Sequence, residues 1–173
     1  MHSIAMQPIA WWPTLLTVSI AAVADLRSRR IPNWLVGSSL LGAFVTAVAT
    51  DGAGGLGRSV AGAALGGAIL GVLYLMGGMG MGDVKLCAAV GAWIGITQLM
   101  MALVVMGVAG GVMALAYAAW GGFLKQTLGG AGALVCSFGR RRNAALTLDS
   151  PGARSIPYAP AIAIGTIFSF LAR

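Results

Sequence analysis

The stretch RSVAGAALGGAILGVLYLM, residues 58–76, decides the fold class because Arg58 is its single charged residue. A helix that crosses a bilayer needs about 20 predominantly apolar residues. The apolar residues here run continuously and do not alternate with polar ones, which favours a transmembrane helix over a β-barrel strand. We therefore predict that residues 58–76 form a membrane-spanning helix.

The rest of the chain has the same character, with 58% hydrophobic and 9% charged residues. A soluble domain carries about 25% charged residues, so this chain lacks the polar residues to cover a soluble globule. We predict an all-α polytopic membrane bundle, a single membrane-embedded domain over residues 1–173. Its six predicted transmembrane helices are residues 9–25, 33–50, 58–76, 83–97, 99–120 and 156–172.

One long connection, residues 121–153, separates the fifth and sixth predicted helices. We expect its first part, about residues 122–138, to lie flat in the membrane interface as an apolar helix. The role of this connection is left open by the sequence.

The chain contains 27 glycines, and many of them lie inside the predicted helices. Small residues let helix backbones approach closely in lipid, so these glycines predict helix packing. The pairs with the spacing expected for this include Gly62 and Gly66 in the third helix and Gly107 and Gly111 in the fifth.

The distribution of Lys and Arg predicts the orientation, because cytoplasmic loops carry an excess of these residues. With the N-terminus outside, nine basic residues face the cytoplasm and two, Arg58 and Arg173, face outward. The nine are Arg27, Arg29, Arg30, Lys85, Lys125, Arg140, Arg141, Arg142 and Arg154. We therefore predict an outside N-terminus in the inner (cytoplasmic) cell membrane. Topology and anionic lipid explain the net charge of +7, so no nucleic-acid partner is expected.

The chain has four acidic residues, all of them aspartates. Asp51 and Asp149 lie in the turn-like sequences TDGAGGLG and TLDSPGA. Asp25 and Asp83 instead lie at the predicted cytoplasmic ends of two apolar helices. An ionisable residue at membrane depth is costly and by default indicates a functional site. The alternative for each is a place among the lipid headgroups, near the arginines.

Two carboxylates brought close together cannot both ionise cheaply, so they share a proton. One of them can then act as a base on a water while the other, protonated, polarises a peptide carbonyl, as in aspartic proteases. This chemistry requires neither a metal nor a cofactor. Cys87 and Cys136 form no C-x-x-C motif, so no zinc site is predicted.

A glycine-rich sequence, MGGMGMGDVKL at residues 76–86, leads into Asp83. Gly80 and Gly82 carry no side chains, so an extended peptide could approach the Asp83 carboxylate there. A phosphate-binding loop is the competing interpretation. The glycine spacing argues against it, because it matches neither G-x-x-x-x-G-K-[ST] nor G-x-G-x-x-G.

Three segments carry a resemblance to a known family. Residues 80–83 form a G-x-G-D motif, and Asp25 begins a D-x5-I-P-N motif that ends at Asn33. The third segment is SIPYAPAIAIG, residues 155–165. Because it carries these motifs, the chain resembles the type IV prepilin peptidases over about residues 20–166.

The resemblance implies an aspartic endopeptidase with Asp25 and Asp83 as its catalytic pair. It also implies that the substrates are prepilin or pseudopilin precursors, and that their basic leader peptide is removed at the cytoplasmic face of the membrane. Many bacterial members also carry paired C-x-x-C motifs that accompany N-methylation; this chain has none, so methyltransferase activity is not expected. Its compact form is similar to the short peptidases of tight-adherence (Flp-type) pili or to archaeal preflagellin peptidases. The resemblance to the Flp-type enzymes favours a bacterial source. The pilin and the oligomeric state are left open.

Four more residues are candidates for lining the site. Lys85 could favour the ionised form of Asp83, hold substrate, or extend to lipid headgroups. Pro32 and Asn33 are expected to begin the second helix. Tyr158 opens the sixth helix and could line the site or belong to the aromatic belt at the interface.

Two other function classes fit a helical membrane protein with two such acids. In an ion-coupled transporter, Asp25 and Asp83 would bind a proton or a cation. In a secretion machine, the protein would be a non-catalytic membrane subunit. A transporter predicts internal repeats and a pathway to the outer face, yet the sequence has no clear repeat and no acid in the outer half of any predicted helix.

Overall fold

The computed structural model describes residues 7–28, 30–75, 79–120 and 158–171. Within these ranges all regular secondary structure is helical, so the predicted all-α class is confirmed for them. The predicted interfacial helix at 122–138, and the whole 121–153 connection, lie outside the described residues. The four helices are α1 (Gln7–Ser28), α2 (Asn33–Leu75), α3 (Met81–Trp120) and α4 (Ala159–Leu171).

Helix α2 is interrupted at Gly52, which has a φ of 59°. A positive φ of this kind is accessible to glycine without the steric cost that a side chain would bring. The chain turns back at this point: a β-carbon added to Gly55 would overlap the carbonyl oxygen of Ala47. Eight residues of a straight helix would instead separate the two by about 12 Å. Asp51 and Arg58 form an ion pair beside this turn.

Helix α3 is interrupted in the same way at Gly95, where φ is 70°. A β-carbon added to Gly91 would lie 3.0 Å from Cδ2 of Leu99, eight residues further along the chain. The two halves of α3 therefore pack against each other. Helices α2 and α3 each consist of two helical segments joined at one glycine.

The six predicted transmembrane helices correspond only in part to this arrangement. Residues 33–50 and 58–76 both lie largely in α2, on either side of Gly52, while the break at Gly95 falls inside the predicted helix 83–97. Two helices in the described part of the chain, Asn33–Leu75 and Met81–Ala114, are long and apolar enough to cross a membrane. Six membrane crossings and an outside N-terminus therefore stay predictions.

Glycines bring α2 and α3 into backbone contact. A β-carbon added to Gly62 would overlap the carbonyl oxygen of Gly91, and one added to Gly66 would lie 2.7 Å from the carbonyl oxygen of Cys87. Close by, Ser59 Oγ donates a hydrogen bond of 2.7 Å to the carbonyl oxygen of Ala92. The packing expected of the third predicted helix is therefore present.

The glycine pair of the fifth predicted helix behaves differently. A β-carbon on Gly107 or Gly111 would have no neighbour within 4 Å among the described residues. The packing expected of this pair is therefore not seen in the part of the chain that the structure describes. Gly165 on α4 makes the close contact with this segment of α3, against the carbonyl oxygen of Ala102.

Helix α1 joins the bundle through polar and aromatic contacts. Thr17 Oγ1 donates to Ser39 Oγ at 3.0 Å, and Trp93 Nε1 donates to the same oxygen at 3.0 Å, which links α1, α2 and α3. The rings of Trp11 and Phe170 lie 5.0 Å apart where α1 meets the end of α4. Interhelical hydrogen bonds of this kind stabilise bundles that have no water around them.

The outer surface of the bundle is rich in large apolar side chains. Trp12, Leu41 and Val104 are 79%, 66% and 68% exposed. Contiguous apolar surface is rare on soluble monomers, where it marks interaction sites. The exterior of this bundle is therefore suited to contact with lipid.

We expect Gly62→Ala to lower the free energy of unfolding by about 1–3 kcal/mol, because the added methyl group forces α2 and α3 apart. Gly57→Ala is the matched control on the same helix, since a β-carbon there would meet nothing within 4 Å. This control should be neutral or stabilising by up to about 1 kcal/mol, because alanine favours helix. Thermal unfolding in detergent measures the stability of both variants. Equal effects of the two substitutions would contradict the close contact between Gly62 and Gly91.

Candidate active site

The two aspartates singled out by the sequence lie at the same end of the bundle. Asp25 lies in the last turn of α1 and Asp83 in the first turn of α3. Both are buried, with 7% and 8% of their surface exposed. Asp51, by contrast, lies at the α2 turn in an exposed ion pair with Arg58.

The Asp25 carboxylate is bound by the backbone of α4. Its Oδ2 accepts a hydrogen bond of 3.2 Å from the N–H of Ala159, the first residue of that helix. The first N–H groups of a helix have no partner within the helix and carry a partial positive charge. Asp25 lies near the C-terminus of its own helix, whose dipole disfavours an anion, so the N-terminus of α4 compensates for that position.

Asp83 is held by the turn that begins α3. Its N–H donates to the carbonyl oxygen of Gly80 at 3.2 Å, and its carboxylate accepts a hydrogen bond from the Gly80 N–H. The contact of the carboxylate with the Gly80 N–H is the one that the third residue of a helix makes in a capping box, although Gly80 has no side chain to make the return bond. A β-carbon on Gly80 would lie 3.4 Å from Asp83 Oδ2. An alanine at position 80 would therefore just reach van der Waals contact with the carboxylate.

The structure brings the two carboxylates near each other. Asp25 and Asp83 are 58 positions apart in the sequence, yet the charge of Asp25 acts electrostatically on Asp83. Because both side chains are buried, little solvent lies between them to weaken that interaction.

The two sequence motifs that contain these aspartates also contact each other. A β-carbon on Gly82 would lie 3.4 Å from Cβ of Ile31, and Lys85 Nζ donates to Asn33 Oδ1 at 3.1 Å. The carbonyl oxygen of Pro32 accepts hydrogen bonds from the N–H groups of Leu35 and Val36. Pro32 therefore lies immediately before α2, which begins at Asn33. The segment that enters α2 lies against the first turn of α3.

Tyr158 lies beside the same site, immediately before α4. It is half-buried, and its Cε1 would lie 3.2 Å from a β-carbon on Gly110. Its hydroxyl is close enough to Asp83 to interact with that carboxylate electrostatically. Tyr158 therefore lies at the same end of the bundle as Asp83, while its role stays a prediction.

A comparison with protein families matches residues 12–115 to the type IV leader peptidase family. The matched range covers more than half of the chain and includes Asp25 and Asp83. The chain belongs to this family. The resemblance to the type IV prepilin peptidases is therefore confirmed, and the protein is a peptidase of that general kind. No curated protein and no solved structure matches the chain.

Helix α4 lies outside the range that matches the leader peptidases, yet it contributes to the site. The sequence gives no signal for the Ala159 donor, because the group is a backbone N–H. Gly110 was also missed, since nothing in the sequence relates it to Tyr158. In the described residues no group of three or more His, Cys, Asp or Glu side chains is placed to hold a metal ion.

We expect Ala159→Pro to reduce peptidase activity by about 10- to 100-fold, the effect of losing a hydrogen bond to a charged group. Proline suits the first position of a helix, so the backbone of α4 can keep its course while the N–H is lost. Ala159→Gly keeps the donor and should retain most activity. Similar losses in both variants, at equal amounts of folded protein, would show that the N–H does not position Asp25.

Proposed function

We propose that the protein is an integral membrane aspartic endopeptidase that removes the basic leader peptide from type IV prepilin-like precursors. One observation carries the proposal: Asp25 and Asp83, from distant parts of the chain, are buried near each other at one end of the bundle. Membership of the leader peptidase family supports the same reaction in general. The aspartic mechanism and the precursor class are the parts that we add.

In the proposed mechanism the two carboxylates share one proton. The ionised member takes a proton from a water, and that water attacks the scissile carbonyl carbon. The protonated member donates a hydrogen bond to the carbonyl oxygen and stabilises the tetrahedral intermediate. The C–N bond then breaks, the leaving amine takes a proton from the pair, and the carbonyl re-forms as a carboxyl group.

The surroundings of Asp83 support access by an extended peptide. Gly80 leaves no side chain beside the carboxylate, so a substrate backbone can approach it there. The space beside Gly82 is instead occupied by Ile31. A prepilin-like precursor has a basic leader followed by an apolar segment. We infer that the leader lies at the cytoplasmic face while the apolar segment enters the lipid beside the bundle.

We further propose that the bundle crosses the inner membrane six times with its N-terminus outside. The turns at Gly52 and Gly95 would then lie on the outer side, together with Asp51 and Arg58. The C-terminal end of α1 and the N-terminal ends of α2, α3 and α4 would face the cytoplasm. The exposed apolar side chains of the helices support this embedding.

We expect Asp25→Asn and Asp83→Asn each to lower cleavage of a type IV pilin precursor by about 100-fold or more, because neither amide can exchange the shared proton. Asp51→Asn is the matched control, since that residue is ion-paired away from the site. Protein purified in detergent and a purified precursor make the assay direct. Normal processing by either variant would refute the paired mechanism, and processing by the wild type would exclude a transporter or a non-catalytic subunit.

The orientation predicts which introduced cysteines react from outside. In a chain with Cys87→Ala and Cys136→Ala, a membrane-impermeant maleimide should label the Thr50→Cys variant in intact spheroplasts. The Arg30→Cys variant should react only after the membrane is permeabilised. Both positions are exposed on the bundle, so access differs through the membrane alone. The opposite labelling pattern would reverse the orientation.

A further inference from the structure

We propose that Lys85 and Asn33 form a clasp that holds the helix ends carrying Asp25 and Asp83 in position. In this assignment Lys85 is a positioning residue and does not bind substrate. The inference rests on the proposed function, because it concerns the geometry of the same two aspartates. The clasp consists of the Lys85–Asn33 hydrogen bond and the contact between Gly82 and Ile31.

The clasp joins short segments next to the two acids. Asn33 follows Asp25 by eight residues and begins α2, while Lys85 follows Asp83 by two residues and is the fifth residue of α3. Only residues 29–32 separate the end of α1 from the start of α2. Any shift of that turn relative to α3 would therefore change the separation of the carboxylates.

The packing of α1 explains why such a clasp is needed. Helix α1 packs chiefly against α4 and only lightly against α3. The Thr17–Ser39–Trp93 network ties it to α3, but Thr17 lies about 12 Å from Asp25 along the helix. Helices that are surrounded by lipid are not pressed together by the hydrophobic effect, so individual contacts decide their relative position. The Lys85–Asn33 hydrogen bond provides such a contact at the end of the bundle that holds Asp25 and Asp83.

The position of Lys85 argues that its bond to Asn33 matters. Lys85 is the fifth residue of α3, just beyond its first turn, so the helix dipole gives a cation at this position no stabilisation. Its Nζ is directed to a neutral amide oxygen at 3.1 Å. A charged donor on a neutral acceptor makes a stronger hydrogen bond than two neutral groups do. Lys85 also stays exposed, so substitutions there create no cavity.

The first test is a double-mutant cycle on precursor cleavage with Lys85→Met, Asn33→Leu and the double variant. Each single change should lower kcat by about 5- to 10-fold with little change in KM, as expected for a lost hydrogen bond that positions the acids. The double variant should be no worse than the poorer single one. Asn33→Asp keeps the acceptor and should retain activity.

Two outcomes would overturn the clasp. If Lys85 binds an acidic group of the substrate or a lipid phosphate, Lys85→Met will raise KM and Asn33→Leu will have no effect. If the two residues act separately, their effects will add in the double variant.

A second test measures position without activity. In a chain with Cys87→Ala and Cys136→Ala, the Asp25→Cys and Asp83→Cys substitutions allow a short bifunctional thiol reagent to link α1 to α3. Adding Lys85→Met should lower the yield of this link several-fold, whereas adding Asn33→Asp should not. If Lys85→Met leaves the cross-linking yield unchanged, the clasp is overturned, even where the wild-type protein cleaves the precursor. A lowered yield in a protein whose wild type cleaves no precursor would refute the proposed function and leave the clasp standing.

Discussion

Burial of two carboxylates at one end of a lipid-facing bundle is the constraint on which the other features depend. A buried charge is costly unless hydrogen bonds compensate for it. Asp25 receives the first N–H of α4, and Asp83 receives the Gly80 N–H at the start of α3. Both donors are groups that a helix N-terminus leaves unpaired. The fold must therefore bring the ends of α1, α3 and α4 together, although they are far apart in the sequence.

Glycine makes that convergence possible. The reversals at Gly52 and Gly95 return the chain to the same end of the bundle, so that α2, α3 and α4 all begin near the aspartates. The contact between Gly62 and Gly91 then lets α2 and α3 approach to backbone distance. A side chain at either place would separate the helices and with them the helix ends that hold the carboxylates.

The sequence predicts the helices and the end at which the acids lie, because apolar runs and basic residues carry that information locally. It is less informative about the reversals: TDGAGGLG suggests a loop, whereas the helix is broken only at Gly52 and resumes at once. The sequence predicts a break at residue 98, between the predicted helices 83–97 and 99–120, whereas the helix is broken three residues earlier, at Gly95. The Ala159 N–H has no side-chain signature, and the Lys85–Asn33 contact joins residues that only the fold brings together. These features depend on tertiary structure and could not be predicted.

The nature of the donors also separates the two kinds of aspartate in this protein. Asp51 is exposed and paired with Arg58, so a full positive charge lies beside its carboxylate. Asp25 and Asp83 instead receive hydrogen bonds from neutral peptide groups. Neutral donors fix the position of a carboxylate without placing a full positive charge beside it. The bond from Lys85 to Asn33 fits this requirement, because it directs the nearest cation along the chain to an amide oxygen.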